Sequence, residues 1–101
     1  MIFCSLYSGS SGNSIFIGDK ESKILIDAGM PGKKIDEAMK SIGQDPSKLD
    51  GIFITHEHSD HIKGVGIISR KYDVPIYAND KTWAAMESSI GKVKEHNIKV
   101  M

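Results

Sequence analysis

Cysteine is nearly absent: Cys4 is the only one in 101 residues. No internal disulfide can form within the chain, and a reducing cytoplasm is the expected setting. An excess of charge of either sign is missing too. Thirteen Lys and Arg balance thirteen Asp and Glu. That balance excludes broad electrostatic capture of nucleic acid or anionic membrane, and leaves open only a locally basic groove. No apolar run approaches the ~20 residues a bilayer-spanning helix needs. The first residues lack the charged stretch followed by an apolar one that marks a signal peptide. There is no internal repeat and no long low-complexity segment. What is present is an ordinary globular composition, 40% hydrophobic and 26% charged, of a length that allows one domain at most.

The apolar pattern predicts strands first, then helix and strand in alternation. Residues 2–7, 14–17 and 23–26 read as strands, and the small, turn-forming residues 8–14 join the first two. Ile24, Leu25 and Ile26 form a continuous apolar run, which predicts a strand buried on both faces. It ends at Asp27-Ala28-Gly29. Pro31 can open a helix. Ile35, Ala38, Met39 and Ile42 make one helical stripe, and Gly43 is a natural residue to end it. Residues 52–54 predict another buried strand. A helix is expected next, with Ile62, Val65, Ile68 and Tyr72 inward. Gly64 and Gly66 weaken it by roughly 1 kcal/mol each relative to Ala unless close packing needs them. Residues 75–78 read as a short strand, Asp80 as a helix cap, Trp83, Met86 and Ile90 as core, and residues 97–101 as the start of another strand. Cys4 is expected to be a small buried residue of the first strand.

The chain stops inside a strand-like segment, and several apolar strands have few helices to cover them. The expectation is an N-terminal part of a larger protein with an open sheet edge; the alternative is a complete small α/β domain with a frayed end.

Three of the four histidines fall within six residues, with an aspartate between them: His56, His58, Asp60 and His61. On an extended segment residues i and i+2 project to one side, so His56 and His58 can bind one metal ion. Asp60 and His61, at the turn into the following helix, can reach a neighbouring ion. Imidazole nitrogen with carboxylate oxygen suits zinc, manganese or iron. Ser59 or Asp60 can also serve as a helix N-cap, and for Asp60 the two roles are compatible.

The run His56-x-His58-x-Asp60-His61 resembles the His-x-His-x-Asp-His signature of the metallo-β-lactamase fold hydrolases. Asp27-Ala28-Gly29 at the end of an earlier strand is similar to that family's Asp-x-Gly. The loop Ser8-Gly9-Ser10-Ser11-Gly12-Asn13-Ser14 resembles a narrower branch, the WalJ/YycJ-like group, related to phosphodiesterases and nucleases of this fold. The resemblance runs over all 101 residues. It implies an α/β (α+β) fold class: a four-layer αββα sandwich of which residues 1–101 are the N-terminal half, with the C-terminal half absent.

The resemblance also implies roles. His56 and His58 are expected to hold the first of two divalent ions, with zinc foremost and manganese or iron as alternatives. Asp60 and His61 are expected to hold the second, Asp60 doubling as a catalytic group that orients the attacking hydroxide. Asp27 is expected to support the metal loop from behind. Ser11 and Asn13 either line a substrate rim and meet a phosphate or belong to a flexible hairpin connection. The implied chemistry is two-metal hydrolysis of a phosphodiester in the full-length protein, as an exonuclease on DNA. Thioester or lactone hydrolysis by the same core is the alternative, and a non-catalytic metal- or partner-binding module is another.

The family's remaining ligands are missing here, and His96 comes too soon after the motif to supply one. Two protein ligands per ion leave both shells open, so the chain alone is expected to bind metal weakly and to be inactive. Pairing as a homodimer through the exposed sheet edge offers an escape. No membrane partner is expected.

Overall fold

Alternating side chains at the start of the chain build β1 (Ile2–Tyr7), β2 (Ser14–Gly18) and β3 (Lys23–Ile26), each antiparallel to the next. The structure, a computed structural model, describes residues 1–9 and 12–101. Asp19 closes the β2–β3 turn, accepting from the backbone N–H groups of Ser22 and Glu21 at 2.8 Å each. Those same two bonds hold its carboxyl below the ordinary carboxylate range.

After β3 the connections change character. The chain continues through α1 (Gly32–Ser41), β4 (Gly51–Phe53), α2 (Ser59–Ile62), α3 (Val65–Tyr72), β5 (Ile76–Ala78), α4 (Asp80–Ile90) and β6 (Ile98–Val100). Strands β3 to β6 pair in parallel, so the six strands among the described residues form one sheet in sequence order. The class is mixed α/β, as expected. Among the described residues no helix is long and apolar enough to cross a membrane.

One sheet face meets the helices. Phe16, Leu25, Ile52 and Ile76 pack there with Ile35, Met39, Ile68 and Met86, all fully buried. Each such side chain contributes about 1.5–3 kcal/mol of transfer free energy. The opposite face carries the cross-strand neighbours Ile15, Ile26, Phe53 and Tyr77, which are only half-buried. Phe53 and Tyr77 stack with ring centroids 4.6 Å apart. Phe3, on edge strand β1, is 69% exposed. Strand β3 is therefore covered on one face, not two: Leu25 is buried, Ile24 and Ile26 half-buried. Cys4 is likewise half-buried, because β1 has a neighbour on one side alone.

The helix expected through residue 72 is broken in two. Gly64 N–H donates to the Ala28 carbonyl at 2.7 Å, and a Cβ at Gly64 would stand 2.3 Å from the Met30 carbonyl oxygen. At Gly66 a Cβ would stand 1.9 Å from the Ile90 carbonyl oxygen. Close packing thus requires both glycines. The cap of α4 is Asn79, one residue before the expected Asp80; its side chain accepts from Thr82 N–H at 2.8 Å. Trp83 and Met86 are core, as expected.

Asp36 on α1 is buried and ties two helices together. It accepts from Tyr72 and from Lys71 on or beside α3, and from Lys40 one turn along α1. Burial pushes its carboxyl upward, and the bonds from Tyr72, Lys71 and Lys40 outweigh that and hold it below the ordinary range.

Candidate metal centre

Strands β3 and β4 are parallel neighbours, so their C-terminal ends open on the same edge of the sheet. Open α/β sheets place their sites there. Asp27 N–H still donates to the Phe53 carbonyl at 2.8 Å, which brings Asp27 beside the residues that leave β4. Asp27 then takes a left-handed conformation, φ 63°, which a short polar side chain tolerates. That twist turns its carboxylate toward the segment Thr55–His61.

Asp27, 5% exposed, is the hub of this segment. Its Oδ1 accepts from Thr55 N–H at 2.7 Å, and its Oδ2 from the Thr55 hydroxyl at 2.6 Å. Nδ1 of His61 lies 2.7 Å from the same Oδ2. An ionised carboxylate only accepts, so Nδ1 of His61 carries the proton and Nε2 of the neutral ring keeps a free lone pair. The Thr55 hydroxyl spends its proton on Asp27. Its oxygen is left to accept from Nδ1 of His56, 3.0 Å away. His56 is thereby set in the same tautomer, again with Nε2 free. One carboxylate and one hydroxyl fix two imidazoles.

The rings converge: the centroids of His56 and His61 are 5.0 Å apart, those of His56 and His58 5.9 Å. His56 and His58 are exposed, His61 and Asp60 half-buried. Asp60 does not cap α2; the cap residue is His58, and no side chain caps that end. Oδ2 of Asp60 stands 3.7 Å from Nε2 of His61. Two ligands of one tetrahedral ion, each bonded at ~2.0–2.2 Å, stand roughly 3.3–3.6 Å apart. The donor types suit a divalent ion, and the 3.7 Å spacing lies just beyond that range. Among the described residues no three His, Cys, Asp or Glu side chains close around one ion position, so the set is open on one side.

The turn that carries these groups is stapled from below. Ala28 N–H donates to the His61 carbonyl at 2.9 Å, and Asn13 N–H to the Asp60 carbonyl at 2.8 Å. Gly29 passes so close that a Cβ would lie 1.8 Å from the Asp60 carbonyl oxygen. A cleft of about 280 Å³ opens beside His61, with Tyr7, Ser8, Asn13 and Thr55 on its walls. Ser11, expected at the rim, lies outside the described residues. Asn13 is half-buried, its carboxamide turned toward Asp60 and Gly9. His96 is elsewhere, with Nε2 2.8 Å from Oδ1 of Asp73. Sequence reasoning missed Thr55; the signal available was a hydroxyl residue directly before His56.

A two-layer α/β domain with imidazoles and carboxylates gathered beyond two adjacent parallel strands is the arrangement of an α/β scaffold with its candidate site at the strand ends. Residues 7–100 match the model of the metallo-β-lactamase superfamily, and the chain belongs to that superfamily. It is 56% identical over 90 residues to exodeoxyribonuclease WalJ of Streptococcus pneumoniae, covering 87% of this chain and 34% of that protein. It is 50% identical over 91 residues to exodeoxyribonuclease YycJ of Bacillus anthracis, covering 90% and 34%. Among solved structures, a Cronobacter sakazakii metallo-β-lactamase with a HARLDQ motif superposes with a TM-score of 0.74 at 17% identity, over 97% of this chain and 42% of that one. The chain thus spans about a third of the length of the curated relatives it matches.

Proposed function

We propose that the chain is the N-terminal half of a metallo-β-lactamase fold domain, and that the full-length protein is a metal-dependent phosphodiesterase acting on DNA as an exonuclease. The observation that supports hydrolysis is the Asp27–Thr55 hub, which leaves Nε2 of His56 and of His61 free, that of His61 3.7 Å from the Asp60 carboxylate. DNA as the substrate is supported by the two exodeoxyribonuclease relatives.

His56 and His58 would hold one divalent ion, Asp60 and His61 a second. Zinc suits this mixture of imidazole and carboxylate best, with manganese or iron as alternatives. A divalent ion held by these residues would supply Lewis acidity to a water and to the phosphoryl oxygens. Asp27 holds the proton of His61 at Nδ1, and Thr55 holds that of His56 at Nδ1. Asp60 orients the attacking water. The open side of the donor set supports a reading in which further ligands come from outside these 101 residues and the 101-residue chain alone is inactive. A cytoplasmic setting accords with the single Cys4.

The test is hydrolysis by the purified full-length protein, with and without a chelator, of a 5′-phosphorylated DNA duplex, a thioester and a lactone. Metal-dependent release of nucleotides from the duplex is expected. Cleavage of the thioester or lactone alone would overturn the nuclease reading.

A further inference from the structure

We infer that Asn13 is a positioning residue for Asp60, holding both the backbone and the carboxylate of that residue in the orientation the metal centre needs. The inference rests on the reading of Asp60 as a metal ligand. Nδ2 of Asn13 lies 3.2 Å from the Asp60 carbonyl oxygen and 3.2 Å from Oδ2 of Asp60. It also donates to the Gly9 carbonyl at 2.9 Å. The backbone N–H of Asn13 reaches the same Asp60 carbonyl at 2.8 Å, and the Asn13 carbonyl accepts from Gly29 N–H at 2.9 Å.

Chemistry fixes which way the carboxamide points. The reverse orientation would set its oxygen against three acceptor oxygens with no proton between them, whereas Oδ1 as placed accepts from Gly9 N–H at 3.3 Å. A carboxamide nitrogen has two protons. One goes to Gly9 and the other is shared between the two oxygens of Asp60. None remains for a substrate phosphate, so Asn13 acts on the site through Asp60 instead of through the substrate. Asp60 needs such a partner. It caps no helix, and the ring of His61 contacts it only at 3.7 Å. Asn13 is the neutral donor that steers Oδ2 without adding a charge that would compete for a cation. An aspartate of the same shape would face the Asp60 carboxylate with like charge.

The experiment uses the full-length protein with Zn²⁺ as the probe, titrated into metal-depleted protein against a chromophoric chelator. Asn13→Asp is expected to weaken Zn²⁺ binding about ten- to hundredfold, the usual cost of losing a partner behind a ligand. In the metal-free protein Asn13→Asp lowers the melting temperature, and adding Asp60→Asn recovers only part of the loss: an amide donor then meets the new carboxylate, while the backbone carbonyls of Gly9 and Asp60 still face an oxygen. The Co²⁺-loaded Asn13→Asp protein also shows an altered visible d–d spectrum, which loss of stability alone would not produce. If Asn13→Asp fails to fold, Asn13→Ser should show a loss of at least tenfold. Zinc affinity lost in Asp60→Ala but kept in both Asn13 variants overturns the positioning role alone. Affinity kept in Asp60→Ala overturns the ligand reading itself, and the positioning role with it.

Discussion

Asp27→Asn separates the structural work of the hub from its effect on metal binding. The substitution is isosteric and tolerates the left-handed φ of 63°. Its amide oxygen can still accept from Thr55 N–H. Its NH₂ then faces the Thr55 hydroxyl and Nδ1 of His61, where Oδ2 had accepted two bonds at 2.6 and 2.7 Å. Both partners can adapt. The hydroxyl rotates to accept, and His61 moves its proton from Nδ1 to Nε2. A bond to a charged acceptor contributes about 1.5–3 kcal/mol and a neutral one about 0.5–1.5. Three bonds are weakened, but Thr55 is exposed and water replaces part of its loss. The expected cost is about 2–3 kcal/mol, or a fall in melting temperature of ~10–20 °C for a chain of this size. The larger effect is on His61: a proton on Nε2 removes the lone pair a metal needs. Zinc affinity of the full-length protein should fall about ten- to hundredfold, while urea denaturation shows a folded, cooperative protein. Long-range ¹⁵N–¹H spectra of the histidine ring read the tautomer directly. A His61 that keeps its proton on Nδ1 in Asp27→Asn, or zinc affinity equal to wild type, would refute the reasoning.

Three further outcomes are expected. Gly66→Ala places a methyl 1.9 Å from the Ile90 carbonyl oxygen, so α3 and α4 must separate; the cost is about 1–3 kcal/mol by urea denaturation, and no loss tests false the close approach. Asp36, whose folded carboxyl is held low by Tyr72, Lys71 and Lys40 against the opposing effect of burial, stabilises the fold fully above about pH 4. That contribution drains as pH falls through the lowered folded value, so the stability gap between wild type and Asp36→Asn should narrow only on the acid side; a gap independent of pH down to 2 contradicts it. After exhaustive dialysis from zinc, the 101-residue chain should retain well under one ion per chain by atomic emission. Retention of one or more that His58→Ala abolishes would show a second chain completing the site.

Much of this was legible in the residues. The six strands, the stripe of α1 and the clustering of His56, His58, Asp60 and His61 follow from periodicity and spacing of two. What was not legible is long-range. The half-covered β3 could not be told from a fully buried strand, because Ile24-Leu25-Ile26 reads alike whether helices lie on one face or both. The break at Gly64 depends on the carbonyls of Ala28 and Met30, more than thirty residues away. Thr55 and Asn13 gained their roles only when β3 and β4 aligned and brought Asp27 and Asp60 to them. Polar residues in turns announce a bend; which distant oxygen they will serve is set by the fold.

The strands lie across the sheet in the order in which they are made. Each new strand docks on the one just before it, and no pairing waits for a later partner. Asn13, Asp27, Thr55, Asp60 and His61 all fall within the first 61 residues. On a ribosome adding about 5–20 residues per second, the hub can close once β4 has docked on β3, before β5 and β6 have emerged to pair. The most exacting geometry in the chain thus needs no strand beyond β4 to form.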